Sequence, residues 1–234
     1  PNTLFVFILT LSMKHHSSAQ HINGAVDAIV FTIKTDALQV LLIEMKKKPF
    51  AEQWAVPGGL LSETETTAEA AKRVLQEQTS VEDTYLEQLM TFDEIHRDPS
   101  GRVLSVAYFA LFPDADITLT TTEKYNDVRW WPMKKLPKLA YDHKCMIEIA
   151  IERLTFKIQY TNIVWSLLPT EFTLTQLQHV YEVILDKPLD KRNFRKRILA
   201  LNLIKPTGNK QQGEAYRPAD LYRFKHKSLE YVEI

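Results

Sequence analysis

The chain has 234 residues, of which 45% are hydrophobic and 25% are charged, and its formal net charge is zero. This length and apolar content allow two modest domains, each with a core of its own. The single cysteine, Cys145, excludes a disulfide within the chain and a cysteine metal cluster. It suits a reducing cytoplasm, where we expect the protein to act.

The first residues do not predict a membrane segment. The apolar run LFVFILTL, residues 4–11, is too short to span a bilayer and lacks the basic region of a secretory signal. Pro1 is not a start residue, so we expect Met13 to be the natural start. Residues 1–20 are then disordered or translated upstream sequence, and a cleaved signal peptide is the less favoured alternative.

Apolar runs rich in β-forming residues predict a mixed sheet. Residues 25–33 and 38–45 flank a turn at Asp36, which predicts a β-hairpin. Three further strands and a later helix are predicted at residues 85–94, 103–112, 127–133 and 142–156.

A glycine turn and a helix interrupt these strands. Pro57-Gly58-Gly59 forms a tight turn where backbone can approach a phosphate, and Thr66 or Thr67 is the N-cap of a helix that ends near Gln78. The pattern G-x5-E-x7-R-E-U-x-E-E-x-G-U, with U aliphatic, is matched at Gly59, Glu65, Arg73, Leu75, Glu77 and Val81. It is broken at Val74, Gln78 and Ser80. The segment resembles the Nudix family, which cleaves nucleoside diphosphates linked to another moiety; a plain amphipathic helix after a glycine turn is the simpler alternative.

The broken positions are those that carry the family's chemistry. Positions 74, 77 and 78 share one helical face, and in active Nudix proteins three carboxylates on that face bind Mg²⁺, which activates the attacking water. Here Val74 cannot bind a metal and Gln78 offers only a neutral amide. The resemblance therefore implies no catalytic residues, weak or no metal binding at Glu77, and no required cofactor. Mg²⁺ is expected only for a residual hydrolase, while Glu65 and Arg73 brace the turn by a salt bridge.

Two more motifs extend the resemblance. Residues 96–103, HRDPSGRV, are similar to the R-D-P-x-G-R-V loop of ADP-ribose pyrophosphatase-like Nudix proteins, and Tyr141-Asp142-His143 is similar to the [FY]-D-H that opens their last helix. By this resemblance, the residues that line a nucleotide or sugar-phosphate pocket are Phe50, Trp54, Gly58, Gly59, Arg97 and Asp98. A simple hairpin turn explains residues 98–101 equally well, and one loop can serve both purposes.

After a linker at residues 157–168, the pattern changes. Thr173 is predicted to cap a helix that ends near Leu185, Lys187-Pro188 breaks that helix, and Asp190 caps a second, basic helix. Two β segments follow, near residues 203–206 and 216–224. Helix, short turn, basic helix and β-hairpin is the order of a winged helix-turn-helix.

Positive charge is concentrated in this region. Twelve lysines and arginines lie between Lys187 and Lys227 against three acids, which favours a nucleic-acid partner over a basic appendage for protein contacts. The second helix is predicted to enter the major groove while flanking cations hold phosphates. The predicted DNA-binding residues are Lys191, Arg192, Asn193, Arg195, Lys196, Arg197, Lys210 and Arg217.

Residues 169–198 closely resemble the C-terminal domain of Nudix-related transcriptional regulators, so the resemblance runs from about residue 22 to the end. It implies an α+β architecture: a Nudix α/β/α sandwich at 21–156, followed by a small winged helix-turn-helix domain at 169–234. In that family the Nudix domain has typically lost hydrolysis and kept binding. Some members sense ADP-ribose in NAD metabolism, and others answer to pentose sugars and lie beside sugar-utilisation genes.

The resemblance thus implies a cytoplasmic, homodimeric transcriptional regulator with two partners: a double-stranded DNA operator and an effector that is ADP-ribose-like or a pentose. No membrane partner is expected. The alternative is an active Nudix hydrolase of the ADP-ribose pyrophosphatase type, in which Glu65, Glu69 or Glu123 completes a metal site with Glu77. A third possibility is an RNA-facing or scaffold protein without sequence preference.

Overall fold

The computed structural model describes residues 21–79, 85–113, 119, 123–211 and 218–232. The expected start at Met13, residues 1–20, and Ser80 and Val81 of the box lie outside these ranges. The N-terminal elements are β1 (Asn23–Lys34), β2 (Ala37–Met45), β3 (Trp54–Ala55), β4 (Gly58–Leu60), α1 (Thr67–Thr79), β5 (Tyr85–Phe92), β6 (Val103–Leu111), β7 (Tyr125–Pro132), a 3-10 helix (Met133–Lys135) and α2 (His143–Lys157). The C-terminal elements are a 3-10 helix (Ile163–Leu167), β8 (Phe172–Thr173), α3 (Leu174–Leu185), α4 (Lys191–Ala200), β9 (Ile204–Lys210) and β10 (Asp220–Phe224).

The central strand, β1, organises the large sheet. It forms the predicted hairpin with β2, and Thr35 and Asp36 take the left-handed φ angles of 52° and 58° that suit a two-residue hairpin turn. β1 also runs parallel to β6 and pairs with β4, and the sheet order is β3-β2-β1-β6-β5, with β7 added on β2. Because helices cover both faces, the middle of β1 is buried throughout, as expected for a strand within a layered sheet.

Two apolar clusters fill the space on either side of the sheet. On one face, Val26 and Val30 of β1 pack against Ala70, Val74 and Leu75 of α1. The other cluster joins alternate residues of the same strands to the buried side of α2. The predicted α/β/α sandwich is therefore confirmed.

The C-terminal elements form the predicted winged helix-turn-helix. Thr173 caps α3 in a reciprocal capping box with Gln176, in which the two backbone-to-side-chain bonds are 3.1 and 2.7 Å long. Asp190 caps α4 by accepting from the Asn193 amide at 2.8 Å. Strands β8, β10 and β9 complete a three-stranded sheet, whose two-residue strand β8 was not predicted.

The two units share an apolar core. Within residues 157–168, predicted as a linker, Ile163, Val164 and Leu167 are buried in the same cluster as α2 and α3. Polar contacts reinforce the junction, including Lys134 Nζ to Asp186 Oδ1 at 2.7 Å and His179 Nε2 to Asp36 Oδ1 at 3.1 Å. The connection is thus packed against both units. Among the described residues, no helix has the length and apolar character needed to cross a membrane.

Candidate ligand cleft and DNA-facing surface

The tight turn predicted at Pro57-Gly58-Gly59 is not formed, because Gly58 and Gly59 pair with β1 as part of strand β4. A cleft of about 300 Å³ opens beside these two glycines. Strands β1, β4 and β7, the loop before β6 and the start of α2 all contribute to its walls. Its polar and aromatic lining includes Asp27, Gly58, Gly59, Arg97, Asp98, Ser100, Tyr125, Tyr141 and His143. Four of the predicted ligand residues, Gly58, Gly59, Arg97 and Asp98, are therefore brought together at one cavity.

The floor of the cleft is a buried network of charges. Arg97 donates through Nε and Nη2 to both carboxylate oxygens of Asp142, at 2.9 and 2.8 Å, and Nη2 lies 3.5 Å from Asp27 Oδ2. Ser105 donates to the same oxygen of Asp27 at 2.5 Å. Burial acts to lower the pKa of Arg97, but the bonds to Asp142 and the charge of Asp27 raise it overall. Two carboxylates against one guanidinium leave the floor with net negative charge.

His143 adds a neutral donor to this floor. Its Nδ1 accepts a hydrogen bond from the Val56 amide at 3.1 Å, so the ring proton resides on Nε2. That nitrogen faces Asp27 Oδ1 at 3.6 Å. Burial lowers the pKa of His143, which keeps the imidazole neutral at physiological pH.

No residue larger than glycine fits at position 58, because Asp27 occupies the space that a side chain would need. The two residues are cross-strand partners, and a Cβ at Gly58 would lie 2.2 Å from Asp27 Oδ1 and 2.9 Å from the Val26 carbonyl oxygen. Tyr125 also donates to the Gly58 carbonyl at 3.3 Å, and burial raises the pKa of this tyrosine to about 12. At Gly58, β4 thus lies too close to β1 for a side chain.

The remaining box residues form the expected brace. Arg73 donates through Nε and Nη2 to the Glu65 carboxylate at 3.0 and 2.8 Å, and through Nη1 to Glu77 at 3.2 Å. Arg73 Nη2 also donates to the Leu60 carbonyl at 3.2 Å, which ties α1 to strand β4. The hydrogen bonds from Arg73 and the Ser62 amide lower the pKa of Glu65 to about 2.

The donor set at the box does not suit a magnesium ion. Val74 is buried in the apolar cluster under the sheet, where an active family member carries a carboxylate. Glu65 and Glu77 both bind Arg73, and the side chain of Gln78 lies outside the described part of the structure. In the described ranges, no three His, Cys, Asp or Glu side chains lie close enough together to hold a metal.

Two predicted ligand residues lie away from the cleft. Trp54 and Ala55 are consecutive in β3, so their side chains point to opposite faces; Ala55 lines the cleft, whereas Trp54 packs on Trp131 with ring centroids 5.0 Å apart. Phe50 lies at an adjoining depression and contacts the ring of Tyr141, with centroids 4.3 Å apart. The structure therefore places Phe50 at the rim and Trp54 behind the sheet.

Sequence analysis did not single out Asp27 and Tyr125, which line the cleft, or Ser105, which bonds to Asp27. The signal for Asp27 was available, because a single acid inside the apolar run AVDAIVFTI is unusual in a buried strand unless it is paired. Ser105 and Tyr125 carry no comparable signal. Ser105 meets Asp27 only through the pairing of β6 with β1, and Tyr125 reaches the cleft only through the position of β7.

A basic surface covers α4. Its predicted DNA-facing residues are exposed except for Arg195, which is half-buried and donates to Thr175 at 3.3 Å. Ile198 is the fully buried member of the apolar seam, and Phe194 and Leu201 are partly buried. Lys210 is exposed at the end of β9, whereas Arg217 lies outside the described residues.

The class of protein follows from two features. The α/β/α sandwich carries α1 beside a cleft, and it is followed by two helices and a three-stranded sheet. The protein is therefore a Nudix domain joined to a winged-helix domain. Family models agree, since "NUDIX domain" matches residues 23–149 and "NrtR DNA-binding winged helix domain" matches residues 164–224. The ADPR responsive transcriptional repressor NtrR of Acinetobacter baylyi is 35% identical over 203 residues, which span 85% of this chain and 80% of that protein. The chain belongs to the NrtR family of Nudix-related regulators.

Solved structures of a relative resemble both units. The crystal structure of Shewanella oneidensis NrtR complexed with a 27mer DNA is 38% identical, with a TM-score of 0.75, over 86% of this chain and 93% of that one. The NUDIX domain of the same protein complexed with ADP ribose is 36% identical, with a TM-score of 0.54, over 58% of this chain and 90% of that one.

Proposed function

We propose that the protein is a transcriptional repressor that binds an operator through α4 and responds to ADP-ribose bound in the Nudix cleft. ADP-ribose and DNA are inferred as its partners from the relatives named above. The observation that carries the proposal is that one chain joins the cleft to an exposed basic helix, while Val74 is buried where a hydrolase has a metal ligand. The Nudix fold then serves to bind its ligand.

The acidic floor suits the hydroxyl groups of a ribose. Carboxylate oxygens only accept hydrogen bonds when ionised, and adjacent hydroxyls can donate to them as a pair. We infer that Asp27 and Asp142 receive ribose hydroxyls, and that Arg97 positions both carboxylates. A cavity of about 300 Å³ is small for a whole dinucleotide-like ligand. The depression lined by Phe50 and Tyr141 would extend the site toward the rest of the molecule.

The response needs no hydrolysis in this proposal. We expect no magnesium-dependent turnover of ADP-ribose, because Val74 and Gln78 replace two of the three carboxylates that bind the metal in active members. Turnover that requires Mg²⁺ and is abolished in Glu77→Gln would support the alternative, a hydrolase with a basic appendage.

Release of DNA requires that ADP-ribose bind one arrangement of the protein more tightly than another. We propose that the protein is a homodimer, because two copies of α4 related by a two-fold axis would read the two halves of a palindromic operator. Light scattering at micromolar concentration measures this directly. A monomer both with and without DNA would contradict it.

The deciding experiment is fluorescence-anisotropy binding to the DNA upstream of the chain's own gene, compared with scrambled duplex. We expect selective binding that ADP-ribose reverses and that L-arabinose, as a pentose control, leaves unchanged. Reversal by the pentose instead would move the effector to the sugar class. Equal affinity for the two duplexes would contradict the regulator proposal and favour a scaffold.

Two substitutions test whether α4 is the reading element. Arg192→Ala and Lys196→Ala remove exposed cations, so each should weaken operator binding while the melting temperature and ADP-ribose affinity stay as in the wild type. Lys144→Ala on α2 is the matched control, since it removes an equally exposed charge from the other unit. Normal DNA binding by both α4 variants would exclude this helix as the reader.

A further inference from the structure

A second basic cleft lies at the root of the wing. Its volume is about 290 Å³, and it is formed where β9 begins, where β10 ends and where the chain approaches β8. Aromatic side chains of Trp165, Phe172 and Phe224 contribute to its walls, and no residue of α4 lines it. The cleft is therefore separate from the predicted reading surface.

Four cations line this cleft, and no acidic residue is among its described lining. Lys205 of β9 and Arg223 of β10 are direct cross-strand partners, and Lys225 and Lys227 follow in the next segment. Every charged side chain in the described lining is basic. Within the described ranges, Lys205, Arg223 and Lys227 have no ion pair, and Lys225 donates to the neutral Asn202. Like charges directly opposite each other on two strands destabilise a sheet, so this arrangement favours an anionic partner.

The cations come from more than one segment of the cleft's rim. Lys205 lies in β9 and Arg223 in β10, whereas Lys225 and Lys227 lie in bends after β10 ends at Phe224. The positive charge is therefore spread over several segments of the chain and is not held at a single point. A nucleic-acid backbone presents several phosphates to such a surface, whereas a small phosphate compound would engage only part of it.

We propose that this cleft binds backbone phosphates of DNA that flanks the segment read by α4. The proposal rests on the operator binding proposed above and extends it by a second contact surface. Phosphate contacts carry no sequence information, so the cleft would add affinity and salt dependence and leave the choice of operator to α4.

The test uses the full-length protein and its operator in two lengths: a duplex trimmed to the half-sites read by α4, and one extended by about 10 base pairs, one helical turn, on each side. The double variant Lys205→Ala/Arg223→Ala is compared with the wild type over a series of KCl concentrations. The control is Lys72→Ala/Lys144→Ala, which removes two exposed charges from the Nudix unit. ADP-ribose affinity and the melting temperature verify that each variant is folded.

We expect the variant to lose affinity on the extended duplex only. Its plot of log K against log salt should be less steep by about 2, since each phosphate contact contributes a slope of about 0.9. Slopes equal to those of the wild type on both duplexes would overturn the proposal. An equal loss of affinity on both duplexes would also overturn it, because these cations would then contact the segment read by α4. If the wild type binds operator and scrambled DNA alike, the regulator proposal fails first and this inference fails with it.

Discussion

Gly58 and Gly59 offer a matched pair of substitutions next to the same cleft. In Gly58→Ala, the new methyl group would lie 2.2 Å from Asp27 Oδ1 and 2.9 Å from a backbone oxygen of β1, so both the side chain and the strand must move. In Gly59→Ala, the nearest atom is Val74 Cγ2 at 3.7 Å, an ordinary contact distance. Only the first variant should displace Asp27 and β1.

The expected losses of stability and affinity in Gly58→Ala follow from the movement of Asp27 and β1. Overpacking of this kind destabilises a protein by about 1–3 kcal/mol, and in a chain of this size about 2 kcal/mol lowers the melting temperature by roughly 4–8 °C. Displacement of Asp27 also breaks its bond with Ser105 and its approach to Arg97. A lost hydrogen bond to a charged group is worth about 1.5–3 kcal/mol, so ADP-ribose affinity should fall about 10- to 100-fold.

Thermal unfolding and calorimetric titration with ADP-ribose measure the two effects. We expect Gly58→Ala to melt several degrees below the wild type and to bind weakly, while Gly59→Ala keeps the melting temperature of the wild type. Equal melting temperatures and affinities for the two variants would refute the reasoning, because Asp27 would then have room that the structure does not give it.

Two further predictions concern the charges around the cleft. Arg97→Met leaves Asp27 and Asp142 without their buried cation and should destabilise the fold by about 3–5 kcal/mol in urea unfolding; an unchanged midpoint would show that water already reaches these carboxylates. Glu65 has a pKa lowered from 4.5 to about 2, so its pairing with Arg73 stabilises the fold above pH 4.5, and this is lost as the pH falls toward 2. In Glu65→Gln, the free energy of unfolding should fall less steeply between pH 4.5 and pH 2 than in the wild type. An unchanged pH dependence would show that other groups cause the loss of stability in acid.

The parts of the fold that could be predicted from the sequence are those that depend on local interactions. Three such features were predicted, and each involves residues at most eight positions apart. They are the hairpin turn at Asp36, the helix caps at Thr173 and Asp190, and the salt bridge between Glu65 and Arg73. Each can be inferred from short patterns because the interacting groups are neighbours along the chain.

Long-range pairing explains what was missed. Asp27 meets Arg97 across 70 positions and Ser105 across 78, so the charged floor exists only once β1 and β6 are aligned. The side chain of Trp54, predicted to bind the ligand, does not line the cleft for a different reason. A two-residue strand gives no visible alternation, so nothing in its sequence tells which of Trp54 and Ala55 faces the cleft.

The shared core between the two units has a consequence for how the molecule melts. Ile158, Val164 and Leu168 are buried in one apolar cluster that includes residues of both units, so separating the halves would expose apolar surface. The winged helix is then not a module that can be grafted onto another sensor. Heat should unfold the whole chain in one cooperative transition, and a ligand held only by the Nudix half should protect α4 from proteolysis as well.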